Sequence, residues 1–262
     1  MQWDMTWDDY QIFEAICNEI QDDAIASRSD SALINYILRS QSFVTLLDAQ
    51  SAIIAHPGEG NGARYKRLLN DFCDWPNASK VCAHHLSHLL RQTSDLAFDP
   101  VKTYLEKYEF EPDALVRTPN SDPTYDDVAS HFPTDSAGKP RQITFSKADG
   151  STTSAYLGLL KHDHLFWLFR NAIVHNFKSL GRGLGIPTQY AEPIYFLSLR
   201  DEEDAGGNLV EVRSTELFYP MKFLKRLVAS SSSNVLQHCR AHGINPMESM
   251  RSNTYWVEQL NL

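Results

Sequence analysis

Apolar residues recur every three to four positions over the first part of the chain, and this spacing is typical of helices with one buried face. Thr6 and Asp9 form a plausible capping pair at the start of the first helix. Pro57 and Gly58 are expected to end the second helix. The pattern predicts five helices over the ranges 6–27, 30–56, 62–73, 77–94 and 98–109. Residues 1–110 are therefore interpreted as an N-terminal helical region.

The amino-acid composition changes between residues 111 and 153. Proline, serine, threonine and aspartate are frequent there, and the periodic apolar residues are missing. The prolines are Pro112, Pro119, Pro123, Pro133 and Pro140. This composition predicts a long connection, with one strand at 141–146 that a turn at 148–150 closes.

Helical periodicity returns at residues 154–180, which give the strongest helix pattern in the chain. Two short strands follow at 193–200 and 209–213, joined by an acidic, glycine-containing loop, and we predict a β-hairpin there. A long helix at 214–242 is expected to end at Gly243, and a short helix at 246–260 closes the chain. Residues 154–262 are expected to form one compact part. The predicted fold class is mostly α, a helical bundle with a small β-hairpin inserted between the last long helices.

Composition narrows the possible functions. The chain has 262 residues and a formal net charge of -9, which argues against a broad, nonspecific nucleic-acid binder but leaves room for a small basic site. No apolar run approaches the roughly 20 residues that span a bilayer, so no membrane association is expected. The N-terminus has no signal-peptide pattern, and we expect a cytoplasmic protein. The cysteines are expected to be free thiols: Cys17, Cys73, Cys82 and Cys239.

The helix at 154–180 separates an apolar face from a polar one when residues are placed about 100° apart. The apolar face is predicted to contain Leu159, Phe166, Phe169, Ile173, Phe177 and Leu180. The opposite face carries His164, Asn171, His175 and Lys178. Apolar residues flank this polar stripe at Trp167, Leu168 and Val174. A second subunit or another segment is therefore expected to cover the polar face, and we favour a homodimer.

The polar face, together with Arg170 to one side of it, holds groups suited to cleaving RNA without a metal. A histidine such as His175 can take or give the proton of a ribose 2′-hydroxyl. The guanidinium of Arg170 suits the charge that develops on a pentacoordinate phosphorus. The amide of Asn171, one turn before His175, is expected to orient the imidazole. His164, Lys178 and Arg182 are further candidates for contacts with the RNA.

The segment Arg170-x4-His175, with Asn171 directly after the arginine, resembles the motif of the HEPN superfamily. This resemblance implies a helical bundle that usually dimerises and a metal-independent endoribonuclease that cleaves single-stranded RNA. It also implies products with a 2′,3′-cyclic phosphate and a 5′-hydroxyl, and a place in a toxin–antitoxin, CRISPR-linked or phage-defence system with an antitoxin or regulatory protein as partner. The family often adds an acidic residue from another part of the bundle. Asp163 lies on the same side of the helix as Arg170, but we expect it to be a solvated charge.

Two other functions stay open. The same cleft could belong to a non-catalytic helical module that holds a nucleotide or a partner protein. His84 and His88 are four residues apart, a spacing that binds metals, and Cys73 or Cys82 could add a thiolate. Histidines packed on a partly buried helix are the simpler interpretation. We therefore expect neither a metal site nor a cofactor.

Overall fold

The computed structural model describes residues 8–26, 32–108, 116–146, 151–176, 190–203 and 209–251. The helices in these ranges are α1 (Asp9–Ala26), α2 (Ala32–Ile53), α3 (Asn61–Asp71), α4 (Ala83–Arg91), α5 (Asp99–Leu105), α6 (Tyr125–Ala129), α7 (His162–Asn176), α8 (Met221–His242) and α9 (Pro246–Arg251). The strands are β1 (Val116–Arg117), β2 (Ile143–Ser146), β3 (Thr152–Ala155), β4 (Ile194–Glu203) and β5 (Leu209–Phe218). The predicted fold class, mostly helical with a small β component, is confirmed. None of the described helices is long and apolar enough to cross a membrane.

The chain forms two compact units that alternate along the sequence. Unit 1 comprises Met1–Trp75, Trp167–Ala191 and Pro220–Leu262, and unit 2 comprises Pro76–Phe166 and Glu192–Tyr219. Helix α7 passes from one unit to the other. The predicted division into consecutive segments therefore differs from the observed one, because spatial neighbours come from distant parts of the chain.

Unit 1 is a helical bundle in which α2 packs against α1, α3 and α8. Its fully buried side chains include Phe13, Phe43, Leu47, Leu68, Phe223 and Leu227. Helix α1 begins with a reciprocal cap, because Asp8 Oδ1 accepts from the backbone of Gln11 at 2.8 Å and Gln11 Oε1 accepts from the backbone of Asp8 at 2.9 Å. Thr6, the predicted cap, lies outside the described residues. At the other end of the bundle, α8 ends at Gly243, whose φ of 63° is the left-handed conformation that glycine adopts readily.

A buried polar contact joins α2 to α8 inside unit 1. Gln50 and Ser231 are both fully buried. Gln50 Oε1 accepts a hydrogen bond from Ser231 Oγ, and Gln50 Nε2 donates to Ser232 Oγ at 2.7 Å. A buried amide whose donors and acceptors are paired avoids the cost of desolvation and fixes the alignment of the two helices.

Unit 2 combines short helices with two small antiparallel sheets. One sheet has the order β1-β4-β5, and the other pairs β2 with β3. The predicted hairpin is confirmed as β4 and β5, which pair from Ile194 with Phe218 to Glu203 with Leu209. The residues predicted to begin the long helix at 214 continue strand β5 instead, and α8 starts only after Pro220. Ladder hydrogen bonds to β4 thus override the helical periodicity of this stretch.

The proline-rich segment 111–153 is more than a connection. The predicted strand at 141–146 is confirmed as β2, which pairs with β3. Val128, Phe132 and Ile143 come from this segment and are buried in the core of unit 2. The other members of that core include Val81, Leu86, Leu90, Phe98, Val101, Leu105, Leu157 and Leu160.

Two predicted helices are shorter than expected. Residues 77–82, predicted to be helical, form turns and a β-bridge between Val81 and Lys161, so α4 begins only at Ala83. Residues 154–161, predicted to begin the motif helix, form the end of β3 and a 3₁₀ turn. Burial of Leu157 and Leu160 holds this turn against the core of unit 2, and α7 starts at His162.

Candidate functional site

Helix α7 carries the Arg-x4-His motif and has one apolar face. Phe166 and Ile173 are fully buried and Phe169 is nearly so, which confirms the predicted core face at these positions. Leu159 does not belong to that face, because it lies in the preceding 3₁₀ turn and is 39% exposed. Phe177 and Leu180 lie outside the described residues.

An open groove of about 610 Å³ runs along the opposite face of α7. Its lining residues all belong to unit 1: Asn61, Trp167, Leu168, Arg170, Asn171, Ala172 and His175. The three predicted catalytic residues therefore lie together in one groove. His175 is exposed to solvent, whereas Arg170 and Asn171 are half-buried.

An ion pair with Asp48 on α2 fixes the guanidinium of Arg170. Arg170 Nη2 lies 2.6 Å from Asp48 Oδ2, and the two side chains are 11% and 26% exposed. The sequence did not identify Asp48 as the partner of Arg170. The two residues are 122 positions apart, so no local pattern connects them. The available signal was a carboxylate directly after the apolar pair Leu46-Leu47 on a helix with a buried face.

Arg170 also contacts the two other residues of the motif. Its Nη1 donates to Asn171 Oδ1 at 2.9 Å and lies 3.4 Å from His175 Nε2. The amide of Asn171 therefore orients Arg170 in this structure, although we predicted that it would orient His175. A guanidinium only donates hydrogen bonds, so the nearby Nε2 of His175 is favoured as the acceptor nitrogen, with the proton on Nδ1. An acceptor Nε2 is the form that a general base requires.

Aromatic side chains support the same corner of the groove. The guanidinium carbon of Arg170 lies 5.0 Å from the ring centroid of Trp167, a cation–π contact. Trp167 in turn packs against Tyr65, with ring centroids 5.5 Å apart. Burial raises the pKa of Tyr65 well above its ordinary value, and the negative charge of Asp48 raises it further, while Arg170 opposes this shift. Tyr65 therefore stays a neutral packing residue.

The other predicted contact residues do not line this groove. His164 is half-buried in the first turn of α7, three turns before His175, and lies outside the set of groove residues. Asp163 is not a solvated charge, because it is 3% exposed and its Oδ2 lies 3.4 Å from Lys161 Nζ. Lys178 and Arg182 lie outside the described residues.

His84 and His88, the metal-site candidates on α4, each contact another side chain. His84 packs edge-on against the ring of Tyr195 at 4.5 Å, and His88 Nε2 lies 2.8 Å from Gln92 Nε2. In the described ranges, no group of three or more His, Cys, Asp or Glu side chains is placed to hold a metal ion. The four cysteines are free and buried, as predicted for thiols.

Unit 2 contains a buried polar cluster that the sequence did not reveal. The hydroxyl of Tyr195 donates to Asp122 Oδ2 at 2.5 Å, and His162 Nε2 lies 2.8 Å from the same oxygen. Cys82 Sγ lies 3.0 Å from this hydroxyl and 2.9 Å from His85 Nδ1. Burial raises the pKa of Cys82 to about 12 and lowers the pKa of His85 to about 4, so the thiol and the imidazole both stay neutral. A neutral, fully buried thiol is a packing group and not a nucleophile.

The groove on α7 is therefore the arrangement with the clearest chemistry. It combines an exposed imidazole, a guanidinium held in place by a carboxylate and an amide, and an apolar rim. These groups can move a proton and stabilise an anion without help from a metal.

No protein-family model matches this chain, and neither a characterised protein nor a solved structure is similar enough to match it.

Proposed function

We propose that unit 1 carries a metal-independent endoribonuclease site of HEPN type that cleaves single-stranded RNA. His175 is the general acid–base group, Arg170 stabilises the charge on the phosphorus, and Asp48 and Asn171 hold Arg170 in place. The observation that carries the proposal is the placement of Arg170, which lies 3.4 Å from His175 and 2.6 Å from Asp48 at the wall of one groove.

The proposed reaction is a transesterification within the RNA. His175 Nε2 exchanges its long contact with Arg170 Nη1 for the ribose 2′-hydroxyl and takes the proton of that hydroxyl, and the 2′-oxygen attacks the adjacent phosphorus. The bond from phosphorus to the 5′-oxygen breaks, and the leaving oxygen receives a proton from the imidazolium or from water. The products are a 2′,3′-cyclic phosphate and a 5′-hydroxyl. Neither a water molecule nor a metal ion takes part in forming the new bond between the 2′-oxygen and phosphorus.

Arg170 has hydrogen-bond capacity left for the phosphate. Its Nη2 contacts Asp48 and its Nη1 contacts Asn171, and its Nε is buried, so the N–H groups left for a ligand are those on the two Nη atoms. A guanidinium presents five N–H groups, so it can keep both protein contacts and still donate to a phosphate oxygen. Asp48 lowers the entropy cost of this arrangement, because it fixes the long side chain before the RNA binds.

The resemblance also implies a homodimer, a place in a toxin–antitoxin or phage-defence system, and an antitoxin or regulatory partner. Leu168, on the rim of the groove, is 43% exposed, which supports a covering second copy at this face. Sedimentation velocity at micromolar concentration should give the mass of a dimer. A monomer at every concentration would remove the dimer from the proposal and leave a site within one chain.

The activity is tested by incubating the purified protein with single-stranded RNA in excess EDTA. Wild type should cleave, and His175→Ala and Arg170→Ala should each lose on the order of 10²-fold or more in rate. His56→Ala is the matched control, because His56 is an exposed histidine of unit 1 outside the groove, and it should keep wild-type activity. Melting curves of all variants show whether a loss of activity is a loss of folding.

The alternative is a non-catalytic module that holds a nucleotide or a partner in the same groove. The observation that favours it is the engagement of Arg170 by Asp48, which compensates much of the positive charge in the groove. Wild-type protein that binds RNA in EDTA but releases no cleaved product would favour this alternative and refute the nuclease.

A further inference from the structure

Two polar groups at one end of the groove are not used by the proposed chemistry. Asn61 is the first residue of α3, is exposed, and lines the groove. Its side-chain amide has no hydrogen-bond partner among the described residues. Trp167 also lines the groove, and its indole N–H likewise has no acceptor in the described part of the chain.

The indole ring is held in a fixed place beside Asn61. Gly62, the next residue, lies beside the ring, and a Cβ at this position would be in ordinary van der Waals contact with it, 3.5 Å from Trp167 Cε2 and 3.6 Å from Nε1. The contacts with Tyr65 and with the guanidinium of Arg170 fix the ring from other directions. An amide and an indole N–H therefore lie at the same end of the groove, next to the arginine that would hold the phosphate.

We infer that Asn61 and Trp167 form a nucleobase subsite that favours adenine next to the cleaved phosphate. This inference rests on the proposed function, because it takes the groove as the place where RNA lies. A carboxamide offers one donor and one acceptor side by side, and this pair matches the N6 amino group and N7 of adenine. RNA-binding proteins recognise unstacked bases by such edge contacts together with aromatic and apolar side chains. Trp167 supplies the apolar contact and one further N–H donor.

The charge of the site agrees with a neutral partner at this end. Neither Asn61 nor Trp167 is charged, and the guanidinium among the lining residues is that of Arg170, which is paired with Asp48. A base is the uncharged part of a nucleotide, whereas the phosphate belongs beside the guanidinium. The base would thus lie against Asn61 and Trp167, directly beside the phosphate at Arg170.

The test measures binding and cleavage separately. The binding probes are 2′-fluoro octamers of adenine, cytosine and uracil, which lack the attacking hydroxyl and stay intact. Wild type should bind the adenine octamer about tenfold more tightly than the other two, and Asn61→Ala should reduce this preference to about twofold or less. Asn61→Asp should likewise reduce the adenine preference, because a carboxylate accepts from the N6 amino group but cannot donate to N7.

Asn70→Ala is the matched control, because Asn70 lies on the same helix, outside the groove, with its Nδ2 bonded to Lys66 O at 2.7 Å. It should keep the adenine preference. Melting curves check that each variant folds. Trp167→Phe keeps an aromatic ring but removes the N–H, and it should weaken adenine binding several-fold without changing the order of preference.

The outcomes separate this inference from the nuclease itself. Wild type that cleaves RNA but shows equal affinity for the three octamers overturns the subsite and leaves the nuclease intact. An adenine preference that disappears in Asn61→Ala supports the subsite even if no RNA is cut. A preference for another base, or a preference that survives in both Asn61 variants, refutes the assignment.

Discussion

The ion pair between Asp48 and Arg170 makes a quantitative prediction about the site. We expect Asp48→Ala and Arg170→Ala to be energetically coupled, so that the double variant is less destabilised than the sum of the single variants. The coupling follows from the structure, because Arg170 Nη2 and Asp48 Oδ2 are 2.6 Å apart and both side chains are mostly shielded from water.

The size of the coupling lies between that of exposed and buried ion pairs. Exposed pairs contribute about 0–1 kcal/mol, whereas breaking a fully buried pair costs about 3–5 kcal/mol. The exposures of 11% for Arg170 and 26% for Asp48 place this pair between the two classes. We therefore expect each single variant to lose about 1–2 kcal/mol, and the coupling energy to be about 1 kcal/mol. For a chain of this size, each variant should melt roughly 3–6 °C below wild type.

Urea titrations of wild type, the two single variants and the double variant measure the coupling. The matched control is the cycle for Arg141 and Asp95, also a guanidinium–carboxylate pair, with a separation of 2.9 Å but with side chains 42% and 39% exposed. Its coupling should stay below about 0.5 kcal/mol. If Asp48 and Arg170 are additive within about 0.3 kcal/mol, the carboxylate does not hold the guanidinium, and its positioning role is wrong.

Three further changes have defined outcomes. Asn171→Ala should lower the cleavage rate less than Arg170→Ala, because the carboxylate on α2 still holds the guanidinium; steady-state rates compare them. A hydrogen bond from Arg67 lowers the pKa of Glu59 from 4.5 to about 2, so its contribution to stability is complete above about pH 5 and disappears as the pH falls toward 2. Wild type should therefore lose more unfolding free energy than Glu59→Gln between pH 5 and 2, as urea titrations would show. Gly243→Ala should cost about 1 kcal/mol in thermal unfolding, because φ there is 63°.

The parts of the fold that follow local rules were predicted from the sequence. The spacing of Phe166, Phe169 and Ile173 identified the buried face of α7, and Gly243 identified the end of α8. Asn171 and His175 could be assigned to one face of one helix because helical geometry is regular.

The parts that depend on distant contacts were missed. Asp48 reaches Arg170 across 122 residues, and the apolar pair before Asp48 does not indicate which residue its carboxylate contacts. Residues 154–161 have helical periodicity, but the bridge between Val81 and Lys161 and the burial of Leu157 hold them in another conformation. Tertiary packing overrides local propensity in such stretches, because burial contributes more free energy than the preference of a few residues for a helix.

The same reason explains why the proline-rich segment was interpreted as a connection. Val128, Phe132 and Ile143 are separated by turns and do not follow the period of a helix or a long strand. Their burial becomes visible only when the remaining core of unit 2 surrounds them. A segment whose composition predicts turns can still contribute buried side chains to the core.

We propose that His175 and Arg170 cleave RNA through the ribose 2′-hydroxyl. This proposal is tested most directly with DNA oligonucleotides that contain one ribonucleotide, incubated in EDTA with wild type and with His175→Ala. Wild type should cut only after the ribonucleotide and leave a 2′,3′-cyclic phosphate and a 5′-hydroxyl, while His175→Ala should leave the strand intact. Cleavage of the all-DNA strand, a 5′-phosphate on the product, or equal cleavage by the two proteins would contradict it.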